Sequence, residues 1–135
     1  SIIVLMLSDY HPLTDWPKPP SALPHARLGE PPNGARVTVA GLVLVRQRPG
    51  TAKGVIFVTL EDETGVVNVV VWAKVFERFR RAVIAGRLLR VTGRIQREME
   101  VVHVVAEQIE DISPLLDELL RPEFKPDICR AGDQP

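Results

Sequence analysis

The chain has 135 residues, 45% of them apolar, and seventeen basic side chains against seventeen acidic; that is length for one domain with tails, apolar content for a packed core, and no globally basic coat for nucleic acid. Aromatics make up only 5%, so the core has to rest on Val, Leu and Ile. The single cysteine, Cys129, excludes an internal disulfide and, without three other ligands, a zinc site, and makes a reducing, cytoplasmic interior the simplest home. The opening run Ser1-Ile2-Ile3-Val4-Leu5-Met6-Leu7 lacks the basic leader and cleavage pattern of a signal peptide and is far too short to span a bilayer. Starting at Ser, it reads as the end of an upstream strand or helix of a longer protein. Residues 8–35 hold seven of the twelve prolines, which cannot sit inside a regular ladder, so residues 1–35 are expected to form an irregular arm or linker.

From Arg36 the texture changes. Arg36–Arg48 is rich in β-branched residues with Gly41 in its middle, a long strand with a bend or bulge at the glycine. Pro49 to Gly54 reads as a flexible loop. Over Val55–Glu61 the residues Ile56, Val58 and Leu60 share one face, and Val55, Phe57, Thr59 and Glu61 the other. Asp62-Glu63-Thr64-Gly65 is a tight turn, and Val66–Trp72 a third strand, nearly all apolar except Asn68. The period then lengthens: Val75, Phe76, Phe79 and Val83 recur at helical steps opposite Arg78, Arg80 and Arg81, predicting one amphipathic helix over 73–85 that ends at Gly86. Arg87–Arg97 alternates again, with Gly93 on the apolar face. A hairpin through Glu98-Met99-Glu100 leads to a fifth strand, Val101–Ile112, closed by Pro114. Leu115–Leu120 suggests a short terminal helix, running into a C-terminal tail over 117–135.

Three strands, a helix and two strands is the order of a mainly β, five-stranded Greek-key OB-fold barrel, with its helix between strands three and four. The expected division is an arm (1–35), the barrel (36–116) and a tail (117–135). Residues 36–97 carry twelve basic and four acidic side chains, whereas 98–120 carry seven acidic and no basic ones. The zero net charge therefore averages over a polar molecule.

The stretch Phe57-Val-Thr-Leu-Glu-Asp-Glu-Thr-Gly65, followed by Val66-Val-Asn-Val-Val-Val-Trp72, resembles the nucleic-acid-binding OB module shared by aminoacyl-tRNA synthetase anticodon domains and bacterial replicative polymerases. Gly41-Leu-Val-Leu-Val-Arg-Gln-Arg-Pro-Gly-Thr-Ala-Lys-Gly54, Val75-Phe-Glu-Arg-Phe-Arg-Arg81, Gly93-Arg-Ile-Gln-Arg-Glu98 and Val101-Val-His-Val-Val-Ala106 are similar to one branch, the error-prone paralogue of the bacterial DNA polymerase III α subunit. The resemblance covers about residues 36–116. It implies a parent DNA-directed DNA polymerase whose catalytic carboxylates and PHP domain lie upstream, outside this chain. It also implies an accessory role for this domain, holding single-stranded template near the polymerase during damage-induced translesion synthesis. The implied partners are single-stranded DNA, the upstream polymerase domains, and mutagenesis accessory proteins (an inactive Y-family-like protein and a RecA-like protein).

Single-strand binding needs π faces for bases and cations for phosphates. Phe57 has outward parity, and in related anticodon domains an aromatic at this place stacks on a base; the alternative is a barrel-core ring. Thr59 shares that face. Asn68, expected across from Phe57, can meet a base edge or serve as a plain strand amide. Trp72 shares parity with Asn68 but ends its strand, and packing on the helix is expected over a place on that face. Arg46, Arg48 and Lys53 flank the one–two loop as phosphate clamps or as ordinary surface charges. Arg90 and Arg94, with Arg97, extend a basic groove or pair across the hairpin with Glu98, Glu100 and Glu107, and pairing is expected for at least one. Arg78, Arg80 and Arg81 form a solvated face or an interface with another domain. Glu61, Asp62 and Glu63 are explained by the turn. His11, His25 and His103 are scattered, His103 facing out of strand five. No catalytic constellation, metal site or cofactor motif stands out, which leaves three expectations open: a single-strand DNA module, a protein-docking barrel, or an RNA reader of the anticodon type.

Overall fold

Apolar residues at every second position give each strand one face to bury, and the strands bury it by closing on one another. The structure, a computed structural model, describes residues 16–48 and 54–119. Five strands, β1 (Arg36–Gln47), β2 (Ile56–Asp62), β3 (Gly65–Val71), β4 (Leu88–Glu98) and β5 (Val101–Asp111), form a closed barrel in the order β1-β2-β3-β5-β4. All neighbours are antiparallel except β3 and β5, which run parallel through Asn68–His103, Val69–Val104 and Val70–Val105. This is the OB architecture expected from the element order. Val37, Val39, Val58, Leu60, Val69, Val71, Leu89, Val91, Ile95 and Val104 are fully buried inside it.

The helical segment differs from the single helix expected. It consists of α1 (Ala73–Arg78) and α2 (Arg80–Ala85), separated at Phe79, whose φ of −123° and ψ of 32° leave the helical region. The break lets Phe76 and Val83 both reach the core while the arginines stay outside. A third helix, α3 (Ser113–Leu119), follows β5.

Two glycines make closure possible. β1 pairs with β4 through Gly41–Leu89 and then with β2 from Leu42–Glu61 onward. A methyl on Gly41 would lie 2.6 Å from the Glu61 carbonyl oxygen, so the two backbones approach this closely only without a side chain. The register of β1 on β2 shifts between Val43 and Val45, a bulge just beyond the glycine. In β4 the pairing jumps from Thr92–Gln108 to Gly93–Ala106, which leaves Glu107 as the extra residue of β5. The hairpin between β4 and β5 turns on Met99 and Glu100, both at positive φ (50° and 74°), the conformation a tight two-residue turn requires.

Residues 16–35 lack regular strands but lie against the barrel. Leu23 and Leu28 join the core on either side of a 3₁₀ turn at His25–Arg27. Polar anchors hold this segment. Arg97 donates through Nη2 to the carbonyls of Leu28, Gly29 and Pro31, and its backbone N–H donates to Asn33 Oδ1. The Leu23 N–H bonds to Thr38 O. The opening apolar run and most of the expected tail, with Cys129, lie outside the described residues.

Asp62 ties the same segment to the β2–β3 turn. Its Oδ1 accepts from the Thr64 N–H at 2.7 Å, the Thr64 hydroxyl at 2.7 Å and the Gly65 N–H at 3.0 Å, and its Oδ2 accepts from the His25 N–H at 2.9 Å. Burial pushes the carboxyl pKa up. The Thr64 hydroxyl, the His25 and Thr64 backbone N–H groups and the neighbouring His25 side chain outweigh burial and hold it below the usual carboxylate value. A lowered folded pKa adds stability that is complete above the unfolded value of about 4 and fades as pH falls through the folded one. Asp62→Ala should therefore cost about 2 kcal/mol in urea unfolding at pH 7, with the donors left unpaired, and less in acid, below the unfolded carboxylate value of about 4. A cost equal at both pH values would remove the carboxylate from this role.

Candidate functional site

The outer faces of β2 and β3 form the surface on which the expected residues meet. Phe57 alternates with the buried Ile56, Val58 and Leu60, so its ring lies half-buried on the outside of the barrel and not in its core. Its neighbour across the sheet is Val70; Asn68 instead stands opposite Thr59. The Thr59 hydroxyl donates to Asn68 Oδ1 at 2.9 Å, which leaves the exposed Asn68 amide its two N–H donors. Phe57, Thr59 and Asn68 thus share one face, with Thr59 and Asn68 as a pair beside the ring.

Trp72 corrects an expectation. It does not pack on the helix: it precedes α1 in extended conformation, 52% exposed. With Phe57 it walls a groove floored by Val55 and Val70 and edged by Gln96, Glu98 and His103. The signal lay in the sequence, since Val66, Asn68, Val70 and Trp72 keep one parity. His103 contributes because β5 lies beside β3 in parallel, a long-range pairing that local periodicity does not reveal. The Glu98 carboxylate makes the groove poor for phosphate but suitable for amino groups on flat rings.

The expected cations divide sharply. Arg90 donates to Glu110 at 3.3 Å across β4 and β5. Arg94 donates to Glu107 Oε2 at 3.0 Å and to Gly34 O at 3.2 Å, while Arg36 takes the other oxygen of Glu107 at 2.9 Å. The bulged Glu107 thus sits between two arginines that face each other in β1 and β4. Of the expected partners Glu98, Glu100 and Glu107, Arg94 pairs with Glu107, while Arg90 pairs with Glu110, a partner not expected. Arg46, although exposed, turns onto the end of α2, donating to Val83 O at 2.5 Å and to Gly86 O, where a cation meets the negative end of a helix. Arg48 is exposed, its guanidinium 5.3 Å from the Phe76 ring centroid. Lys53 lies outside the described residues.

Away from this face, Leu42, Leu88, Ile112 and Leu116 line an apolar groove rimmed by Glu61, Asp62 and Glu63. The described residues contain no group of three or more His, Cys, Asp or Glu side chains placed to hold a metal ion. None of their helices is long and apolar enough to cross a membrane.

Residues 37–112 match the family described as OB-fold nucleic acid binding domain. The error-prone DNA polymerase of Ruegeria pomeroyi is 60% identical over 106 residues, 78% of this chain and 10% of that protein. The error-prone DNA polymerase of Caulobacter vibrioides is 58% identical over 97 residues, 72% of this chain and 9% of that protein. The chain thus spans about a tenth of the length of these curated relatives. Among solved structures, asparaginyl-tRNA synthetase from Pyrococcus horikoshii, complexed with asparaginyl-adenylate, superimposes with a TM-score of 0.59 at 27% identity, over 69% of this chain and 22% of that one.

Proposed function

The chain belongs to the OB-fold nucleic acid binding domain family, and from that premise we propose that it is the single-stranded-DNA-holding accessory domain of an error-prone DNA polymerase that copies damaged template in the bacterial cytoplasm. The observation that carries this reading is the half-buried, outward-facing Phe57 ring, set beside the Asn68–Thr59 pair and the exposed Trp72 on one outer face. Bases stack on the two rings, the Asn68 amide and Glu98 meet base edges, and Arg48 and Lys53 serve the backbone. Arg46, Arg90 and Arg94 contribute less, since each already spends guanidinium donors on protein oxygens. The identity to named polymerases favours DNA; the synthetase likeness favours RNA as the competitor.

The test is a titration of a fluorescent oligodeoxynucleotide with the 135-residue chain at several salt concentrations, repeated with unlabelled DNA and RNA competitors. Binding should weaken linearly in log–log form with salt, by about 0.7 per phosphate neutralised, and DNA should compete better than RNA. Salt-independent binding, or none, would overturn the reading; stronger competition by RNA would transfer the site to an anticodon-type reader.

The apolar groove of Leu42, Leu88, Ile112 and Leu116 favours a second role, docking of the upstream polymerase domains or of a mutagenesis accessory protein. Co-purification with those domains, abolished by Leu42→Glu, tests it independently of DNA.

A further inference from the structure

Among the described residues, a group of basic side chains without an ion pair lies on and beside the helices and not on the β2–β3 face. Arg27 and Arg36, with Arg90 and Arg94, are each within ion-pair distance of a glutamate, and Arg97 is bound to three carbonyls. Arg48, Lys74, Arg78, Arg80 and Arg81 are all exposed, and none forms an ion pair among the described residues. The last four lie on α1 and α2, whose single acid, Glu77, is also without an ion pair there.

Their geometry concentrates the charge. The guanidinium carbons of Arg48 and Arg80 lie 5.3 and 4.9 Å from the same Phe76 ring centroid, and that of Arg78 lies 5.2 Å from the Phe79 ring. A guanidinium resting on a ring keeps its edge N–H donors for oxygen and gives up little freedom on engaging them. Two such cations over one ring, with no carboxylate between them, repel each other until an anion arrives.

The location connects this cluster to the proposed DNA face. Gln47 stands opposite Phe57 in the β1–β2 ladder, so Arg48 lies one residue beyond it, toward the end where Trp72 leads into α1. A strand whose bases stack on Phe57 and Trp72 emerges there. We propose that its phosphate backbone continues over α1 and α2, held by Arg48, Arg80, Arg81 and Arg78, so that this helix face forms a second, base-independent subsite for single-stranded DNA. Ile84, 55% exposed between the arginines, gives the sugars an apolar rest. This extends the site proposed above and rests on it.

Length dependence separates the two subsites. Oligodeoxythymidines of about 6 and about 18 nucleotides, the shorter sized for a single OB face, are titrated with the chain across salt. The triple variant Arg78→Gln/Arg80→Gln/Arg81→Gln should lower the log–log salt slope on the longer strand by about 2 and leave the shorter strand unchanged, at about 0.7 for each phosphate no longer neutralised. The corresponding triple lysine variant should restore the slope, because the slope counts charges, and circular dichroism should show both variants folded. An unchanged slope on the long strand overturns the inference, as does an equal fall on both strands, which would place these arginines within the sheet site. An unchanged slope with abolished binding to polyglutamate would assign the helix face to an acidic protein instead. Phe57→Ala distinguishes the two levels: if it weakens both strands while the triple variant changes nothing, only the helix subsite falls. If the parent chain binds neither strand, the sheet-face reading falls first.

Discussion

Gly93→Ala is expected to destabilise the domain by about 3 kcal/mol, read as a lower urea midpoint with an unchanged slope. The added methyl would collide with the Val105 carbonyl oxygen and lie 2.8 Å from its carbon and 3.0 Å from Ala106 Cα. All three are backbone atoms of the paired strand, so no rotamer change relieves the overlap. Relief requires β4 and β5 to separate at the point where the register jumps. That movement also disturbs Glu107, the bulged residue that bridges Arg36 and Arg94. Gly29→Ala is the control: it has nothing within 4 Å of the new methyl and should leave stability unchanged or raise it by about 0.5 kcal/mol. Gly93→Ala within about 0.5 kcal/mol of the parent would mean that the close approach is not what holds the bulge.

Gly93 also shows where sequence reasoning stops. Period-two alternation located all five strands to within a residue or two and placed Phe57 outside the barrel, because burial on one face leaves little choice of side. The glycines at 41 and 93 marked strain points. The β1 bulge is anticipated at Gly41 and lies just beyond it; the one at Gly93 is not legible, since an extra residue such as Glu107 is recognised only from its partner strand. The helix break at Phe79 was hidden because apolar spacing runs through it unbroken. The prolines of residues 16–35 predict an irregular arm or linker but not whether it folds over the barrel; Leu23 and Leu28 have no period, and their burial depends on Arg97 and Asp62, distant in sequence. For the cations, charge counting found the basic block but could not divide it. Arg94 and Arg80 look equivalent in a sequence, yet one is neutralised by a bulged glutamate and the other rests on a ring without an acid.

Phe57→Ala carries the largest expected effect on binding. Truncating a ring on which a base stacks removes about 1–3 kcal/mol, so affinity for a short oligodeoxythymidine should fall by about five- to 150-fold. The fold should tolerate the change. Phe57 is half-buried on the outer face and absent from the core cluster, and its cross-strand neighbour Val70 already sits between the strands. The salt slope separates stacking from electrostatics: removing a ring lowers affinity by the same factor at every salt concentration, whereas removing a cation changes the slope. Phe57→Tyr should retain binding and Phe57→Leu should not, because a leucine fills the groove without a flat face. Trp72→Ala should weaken binding in the same salt-independent manner, since both rings wall one groove. Phe57→Leu with parental affinity would reduce Phe57 to a space-filling residue, and the β2–β3 face would lose its claim to the bases.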